Sequence, residues 1–244
     1  MDSLLKDKIE SYRNETNGFP PGELLAFFLR RHPGKIAFSS SLGAEDQVVT
    51  HMLASTELPV RIFTLDTGRL FPETYELIGI TRQRYNLPVE IYFPDTTQVE
   101  RMVNDKGINL FYENVNNRKL CCHVRKIEPL RRALAGMEVW ITGLRRDQSV
   151  TREEIPMIGW DDDLRMIKVN PIIGWTYQDV WDFIREHKVP YNTLHDKGFP
   201  SLGCLPCTRA ILPGEELRAG RWWWENPESK ECGLHVNKKK DAYE

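Results

Sequence analysis

The sequence predicts an α/β protein: a mainly parallel, twisted sheet flanked by helices. Three observations carry this. Short apolar and β-branched runs recur at residues 35–38, 60–65, 89–93 and 138–142. The first two of these runs lead through loops of small and polar residues into segments with helical spacing of apolar side chains. Such alternation argues for parallel strands joined by crossover helices. The 244 residues suffice for one such domain with a full core.

Taken in order, residues 3–13 and 22–31 read as helices, separated by Pro20-Pro21-Gly22. The strand at 35–38 enters Ser39-Ser40-Ser41-Leu42-Gly43-Ala44-Glu45-Asp46, and the following helix carries Val48, Val49, Met52 and Leu53 on one side. The strand at 60–65 ends in Asp66-Thr67-Gly68-Arg69, which leads into a helix with Tyr75, Ile78 and Ile80. The strands at 89–93 and 138–142 follow, the latter ending in Gly143. Residues 167–171 form a strand-like piece, and Thr176 with Asp179 forms a capping box for a helix through Val180, Trp181, Phe183 and Ile184. From residue 190 the chain lacks periodicity and reads as loops tied down by a metal site.

Net charge is −2, so no global basic field attracts nucleic acid, and any anion site must be local. The first residues lack the apolar core of a signal peptide. No run approaches the roughly eighteen apolar residues of a membrane helix. The expectation is a cytoplasmic protein without membrane contact. In that reducing compartment cysteines act as metal ligands or catalytic groups rather than as disulfides.

The five cysteines divide into four plus one. Cys121-Cys122 and Cys204-x-x-Cys207 form two close pairs, compatible with either zinc or an iron–sulfur cluster. Cys232 is left over, with Lys230 and His235 near it, and could serve as a nucleophile. Around these sit candidate anion contacts. The serine loop after the first strand can present backbone N–H groups at a helix N-terminus, although it lacks the Gly-Lys-Ser/Thr of a Walker loop. Arg145, Arg146 and Arg152 follow the fourth strand, and Arg218 and Arg221 precede Trp222-Trp223-Trp224. Arginine forks match phosphate and sulfate. Three successive tryptophans cannot all face one core.

Six ordered motifs resemble the assimilatory sulfonucleotide reductases, in particular the adenylyl-sulfate (APS) reductases. They are the serine loop through Asp46, Leu65–Leu70 with its Asp-Thr-Gly-Arg, Cys121-Cys122, Thr142-Gly143-Leu144-Arg145-Arg146-Asp147-Gln148, Cys204-Leu205-Pro206-Cys207 and Glu231-Cys232-Gly233-Leu234-His235. The resemblance spans residues 35–236 and implies an adenine-nucleotide α-hydrolase-like sheet with a modified phosphate-binding loop. It implies that Cys232 attacks the sulfur of APS, expels AMP and becomes an S-sulfocysteine. Thioredoxin or a glutaredoxin-like dithiol protein, here a separate chain, would then release sulfite. Cys121, Cys122, Cys204 and Cys207 would hold a four-iron four-sulfur ([4Fe-4S]) cluster, and Lys126 would link its field to the substrate sulfate. Arg152, Arg218, Arg221 and His235 match phosphosulfate contacts, and Ser40, Ser41, Leu65, Thr67 and Gly143 match the nucleotide pocket. Residues 1–224 would then be one sulfonucleotide-binding domain and residues 225–244 a mobile tail carrying the nucleophile. Family members are often dimers or tetramers, so a homo-oligomer is compatible.

Three other readings compete. A reductase of 3′-phosphoadenylyl sulfate (PAPS) typically lacks the four cluster cysteines, though some cluster-bearing members accept both substrates. An adenylating enzyme expects a Ser-Gly-Gly-x-Asp-Ser loop, which residues 39–46 do not supply. A zinc-stapled binding module would leave Cys232 incidental.

Overall fold

Six strands form one sheet in the order β3-β2-β1-β4-β6-β5. A computed structural model describes residues 3–149 and 152–226; Cys232 and His235 lie outside the described residues. Helices α1 (Ser3–Glu15) and α2 (Pro21–Arg31) precede β1 (Ile36–Ser39), with Pro21 at the first helical position, where a missing N–H costs nothing. Next come α3 (Ala44–Ser55), β2 (Arg61–Leu65), α4 (Pro72–Tyr85), β3 (Val89–Tyr92) and α5 (Thr96–Lys106). A long helix follows in three parts: α6 (Val115–Cys122), a π-helical turn (His123–Ile127) and α7 (Glu128–Ala133). Then come β4 (Val139–Ile141), β5 (Ile158–Asp161), β6 (Met166–Val169) and α8 (Tyr177–His187).

The predicted strands all form, and β1, β2, β3, β4 and β6 run parallel. Strand β5 was not read from the sequence. It is an antiparallel edge partner of β6, with Ile158 opposite Val169. The sheet is covered on both faces, so period-2 alternation sorts side chains between two cores. Ile36, Phe38, Val139 and Ile141 join α1, α2, α3 and α8. Ala37, Phe63 and Trp140 join Leu130, Ala133 and Leu134 around α7. The capping box at α8 forms as expected: Asp179 N–H donates to Thr176 Oγ1 at 3.1 Å and Thr176 N–H to Asp179 Oδ2 at 2.7 Å.

The predicted helix with Tyr75, Ile78 and Ile80 forms as α4, and of these three only Ile78 is buried. In α4 the buried residues are Thr74, Leu77, Ile78 and Thr81, while Tyr75 is 43% and Ile80 51% exposed. Two threonines take core positions there. Thr81 receives a hydrogen bond from Gln47 and Thr74 one from Asn192, so burial leaves neither hydroxyl unsatisfied.

The strand order reverses between β1 and β4. Chain connections diverge there and leave a crevice at the carboxyl ends of the strands.

Candidate active site

The crevice is a pocket lined by the ends of β1, β2 and β4. Ser40, Ser41, Leu65, Thr67, Lys126, Gly143, Arg152, Arg218 and Arg221 all line it. These are all nine of the predicted substrate contacts that fall within the described residues. The two predicted loops become neighbours because β1 pairs with β2, Ser39 opposite Phe63.

The serine loop is held under strain. Leu42 adopts φ 61, a left-handed conformation that costs energy outside glycine. Its buried side chain packs on Leu77 and Ile78, and its N–H donates to Ser40 Oγ at 3.2 Å. Asp46, in the first turn of α3, closes the loop: Ser41 N–H and Ser41 Oγ both donate to Asp46 Oδ2 at 2.6 Å. Burial pushes the Asp46 carboxyl up to about 6 despite those hydrogen bonds, with Glu45 adding a smaller push. Gly143 is required opposite it. A Cβ on Gly143 would stand 2.2 Å from Asp46 Oδ1 and 3.2 Å from Asp46 N. The sequence motif contained Asp46, but its role as latch was not read. The Ser41 hydrogen bonds and the close approach of Gly143 reveal it.

The cations sort into two kinds. Arg145, read from sequence as an anion contact, is buried and committed to Glu45 Oε1 at 2.8 Å and Asp147 Oδ2 at 3.0 Å. It braces the pocket wall. Arg221 reaches the pocket because Gly203 has no side chain; a Cβ there would stand 2.3 Å from Arg221 Nη2. Lys126 lies on the π-helical turn, where a wider helical step places it in the lining of two cavities at once.

The second cavity is lined by Cys121, Cys122, Cys204 and Cys207 together with Arg69, Arg118, Arg125 and Lys126. Cys121 and Cys122 end α6. Cys204 and Cys207 bracket a 3-10 turn tied down by Leu205 N–H to Arg69 C=O at 2.8 Å. Thr67 Oγ1 is 3.2 Å from Cys204 Sγ, and Arg125 Nη1 donates to Thr67 C=O at 2.6 Å. Burial pushes the Cys207 thiol up to about 12, with Cys204 adding to the push and Lys126 and Arg221 opposing it. Cys121 is raised by burial and by Cys204 likewise. Four neighbouring thiols, three of them buried and Cys204 half-buried, cannot all ionise unless cations neutralise them. Among the described residues no three His, Cys, Asp or Glu side chains converge as ligands of a single metal ion. Arg118 and Arg125 line the cavity of these thiols and were not singled out from the sequence, their short spacing to Cys121-Cys122 being the available signal; Trp222, noted there only as one of three tryptophans, packs on Cys121, Cys122 and Cys207. Trp222 is buried and Trp223 exposed, as a run of three tryptophans requires.

Fold and pocket define an adenine-nucleotide α-hydrolase-like protein whose phosphate loop is serine-rich. Residues 35–210 match the phosphoadenosine phosphosulfate reductase domain, and the chain belongs to that family. It is 54% identical over 205 residues to the adenosine 5′-phosphosulfate reductase of Allochromatium vinosum, covering 84% of this chain and 80% of that protein. It is 51% identical to the adenosine 5′-phosphosulfate reductase of Burkholderia cepacia, covering 87% and 85%. Among solved structures it resembles a phosphoadenylyl-sulfate reductase from Candida auris in complex with phosphate, with a TM-score of 0.72, 27% identity and coverage of 86% and 98%. Yeast FAD synthetase shares the fold alone, at a TM-score of 0.54, 18% identity and coverage of 86% and 70%. Among the described residues no helix is long and apolar enough to cross a membrane.

Proposed function

We propose that this chain reduces adenosine 5′-phosphosulfate to sulfite and AMP, with Cys232 as nucleophile, in the sulfate assimilation that feeds cysteine biosynthesis. One observation carries the reading. The pocket that gathers the nine expected contacts shares Lys126 with the cavity of the four thiols. The two relatives named as adenosine 5′-phosphosulfate reductases, at 54% and 51% identity, support the substrate.

The four thiols fit a [4Fe-4S] cluster. They line one cavity without converging on a point, and a polynuclear centre lets adjacent thiolates such as Cys121 and Cys122 reach different irons. When bound, the cluster supplies a charge distribution beside Lys126 rather than electrons for turnover. Ser40, Ser41, Leu65, Thr67 and Gly143 hold the nucleotide. Arg152, Arg218, Arg221 and Lys126 neutralise the phosphosulfate, joined by His235 from the carboxyl-terminal segment. Without them an anionic thiolate is repelled by the sulfate oxygens. The Cys232 thiolate bonds to the sulfate sulfur as the bond from that sulfur to the AMP phosphate oxygen breaks, and AMP leaves with the electron pair. A thiolate of a thioredoxin- or glutaredoxin-like dithiol then attacks Cys232 Sγ. Sulfite departs with the electrons of the S–S bond, and the second thiol closes a disulfide on the reductant, restoring Cys232. In this reading residues 1–224 are the sulfonucleotide domain, residues 225–244 carry the nucleophile, and the protein works in the cytoplasm.

The test is intact mass after anaerobic incubation with APS and no reductant. One sulfonate on Cys232, removed by thioredoxin with release of sulfite, is expected. No adduct, or an adduct that persists in Cys232→Ser, rejects the reading. Comparable or higher turnover of PAPS rejects the preference for APS.

A further inference from the structure

Arg118 sits on α6 one helical turn before Cys122, so the two side chains share a face. Its guanidinium is 0% exposed and hydrogen-bonds the Cys122 sulfur. It also grips Glu225 with a fork: Nε donates to Oε1 at 2.9 Å and Nη2 to Oε2 at 2.8 Å. The Glu225 side chain is 3% exposed. A third face of Arg118 stacks on Trp222, 4.7 Å from the ring centre, and Arg221 of the substrate pocket lies 4.6 Å from the same centre. Trp222 holds φ 40, a conformation that a bulky residue keeps only when its surroundings impose it. Glu225 N–H returns to Trp222 C=O at 2.9 Å.

One buried guanidinium therefore joins a cluster thiol, the wall of the substrate pocket and Glu225. Cys232 follows Glu225 by seven residues. Desolvation offsets most of the attraction in a buried pair, so stability alone is a weak reason for this one. A bidentate fork fixes direction as well as distance. Seven residues span at most about 25 Å, so fixing Glu225 fixes the point from which the segment carrying Cys232 begins.

We propose that Arg118 is a positioning residue that ties the root of the Cys232 segment to Cys122, so that cluster loading and presentation of the nucleophile form one coupled event. This rests on Cys232 as nucleophile and on the four cysteines as cluster ligands, and its test reads chain geometry apart from turnover. Glu225→Gln keeps the size and removes the charge of the fork; Arg118→Lys keeps the charge and removes the fork. For each cluster-loaded, full-length variant, iron and acid-labile sulfide, AMP affinity, single-turnover sulfonation of Cys232 and tryptic cleavage at Lys230 are measured. Cleavage at Arg82 in the body serves as internal reference.

Iron content and AMP affinity are expected within about twofold of wild type, with cleavage at Lys230 at least tenfold faster and sulfonation at least tenfold slower. Wild-type protein stripped of iron by a chelator should show the same selective cleavage at Lys230. Wild-type cleavage and sulfonation in folded Glu225→Gln overturn the proposal, as does stripped protein that cleaves like loaded protein. Equal acceleration at Arg82 marks global unfolding and overturns a local tether. Should Glu225→Gln fail to fold, Glu225→Asp, one methylene shorter, must show a smaller change in the same direction; wild-type behaviour there overturns the proposal as well. If wild type forms no adduct with APS while the cleavage differences hold, the assigned reaction falls and the tether stands.

Discussion

Gly143→Ala tests whether Asp46 is the latch of the nucleotide pocket. The new methyl would stand 2.2 Å from Asp46 Oδ1, and an ordinary contact begins near 3.4 Å. The carboxylate must therefore retreat by about 1.2 Å, because dispersion turns to repulsion inside that range. Its other oxygen holds Ser41 N–H and Oγ at 2.6 Å, so a rigid retreat takes both bonds beyond hydrogen-bonding range. The backbone cannot give way instead, since Asp46 N is only 3.2 Å from the same methyl. Overpacking costs about 1–3 kcal/mol, and each hydrogen bond to a charged group about 1.5–3 kcal/mol. Even if Asp46 keeps one of its bonds, roughly 1.4 kcal/mol of loop preorganisation is lost, a tenfold change in an equilibrium constant. Titration calorimetry with AMP should show affinity reduced about tenfold or more. The reasoning is refuted if a folded, cluster-loaded Gly143→Ala protein binds AMP within twofold of wild type.

Asp46 also sets a pH dependence. Burial lifts its carboxyl to about 6, so below that pH it gains a proton and loses the anionic hold on Ser41. The ratio of wild-type to Asp46→Asn affinity for AMP, in which titration of the AMP phosphate cancels, should fall as pH drops from about 7.5 to 5; a ratio independent of pH counts against the latch. Lys126→Ala should slow sulfonation of Cys232 by ~10²–10³ while leaving AMP affinity within about threefold, because AMP lacks the sulfate. Equal losses in binding and sulfonation would assign Lys126 to the nucleotide instead. Cys204→Ser should lose iron, sulfide and visible absorbance together when purified without oxygen; full iron content would remove Cys204 from the ligand set.

The crossovers β1–α3–β2 and β2–α4–β3 and the α8 cap were legible because their signals are local. A short, nearly continuous apolar run marks a strand buried on both faces, and Thr176 with Asp179 satisfies a helix end within four residues. Strand β5 was not legible. Its residues Ile158-Gly159-Trp160-Asp161 carry little periodicity and become a strand by pairing with β6. The burial of Thr74 and Thr81 in α4 was not legible because both are polar in sequence, and only partners from distant segments satisfy their hydroxyls. Arg145 shows the same limit for charge. Beside a strand end it looks like an anion contact, yet Glu45, a hundred residues earlier, neutralises it.

The order of the motifs and the identity of the thiols were set by the linear chain, since pairs such as Cys121-Cys122 and Cys204-x-x-Cys207 are local facts. Folding alone decided which cations line the substrate pocket, that Lys126 lines both cavities, and that Arg118 reaches Glu225. The reason is that hydrophobic periodicity is written over a few residues, whereas compensation of charge depends on neighbours brought together through space.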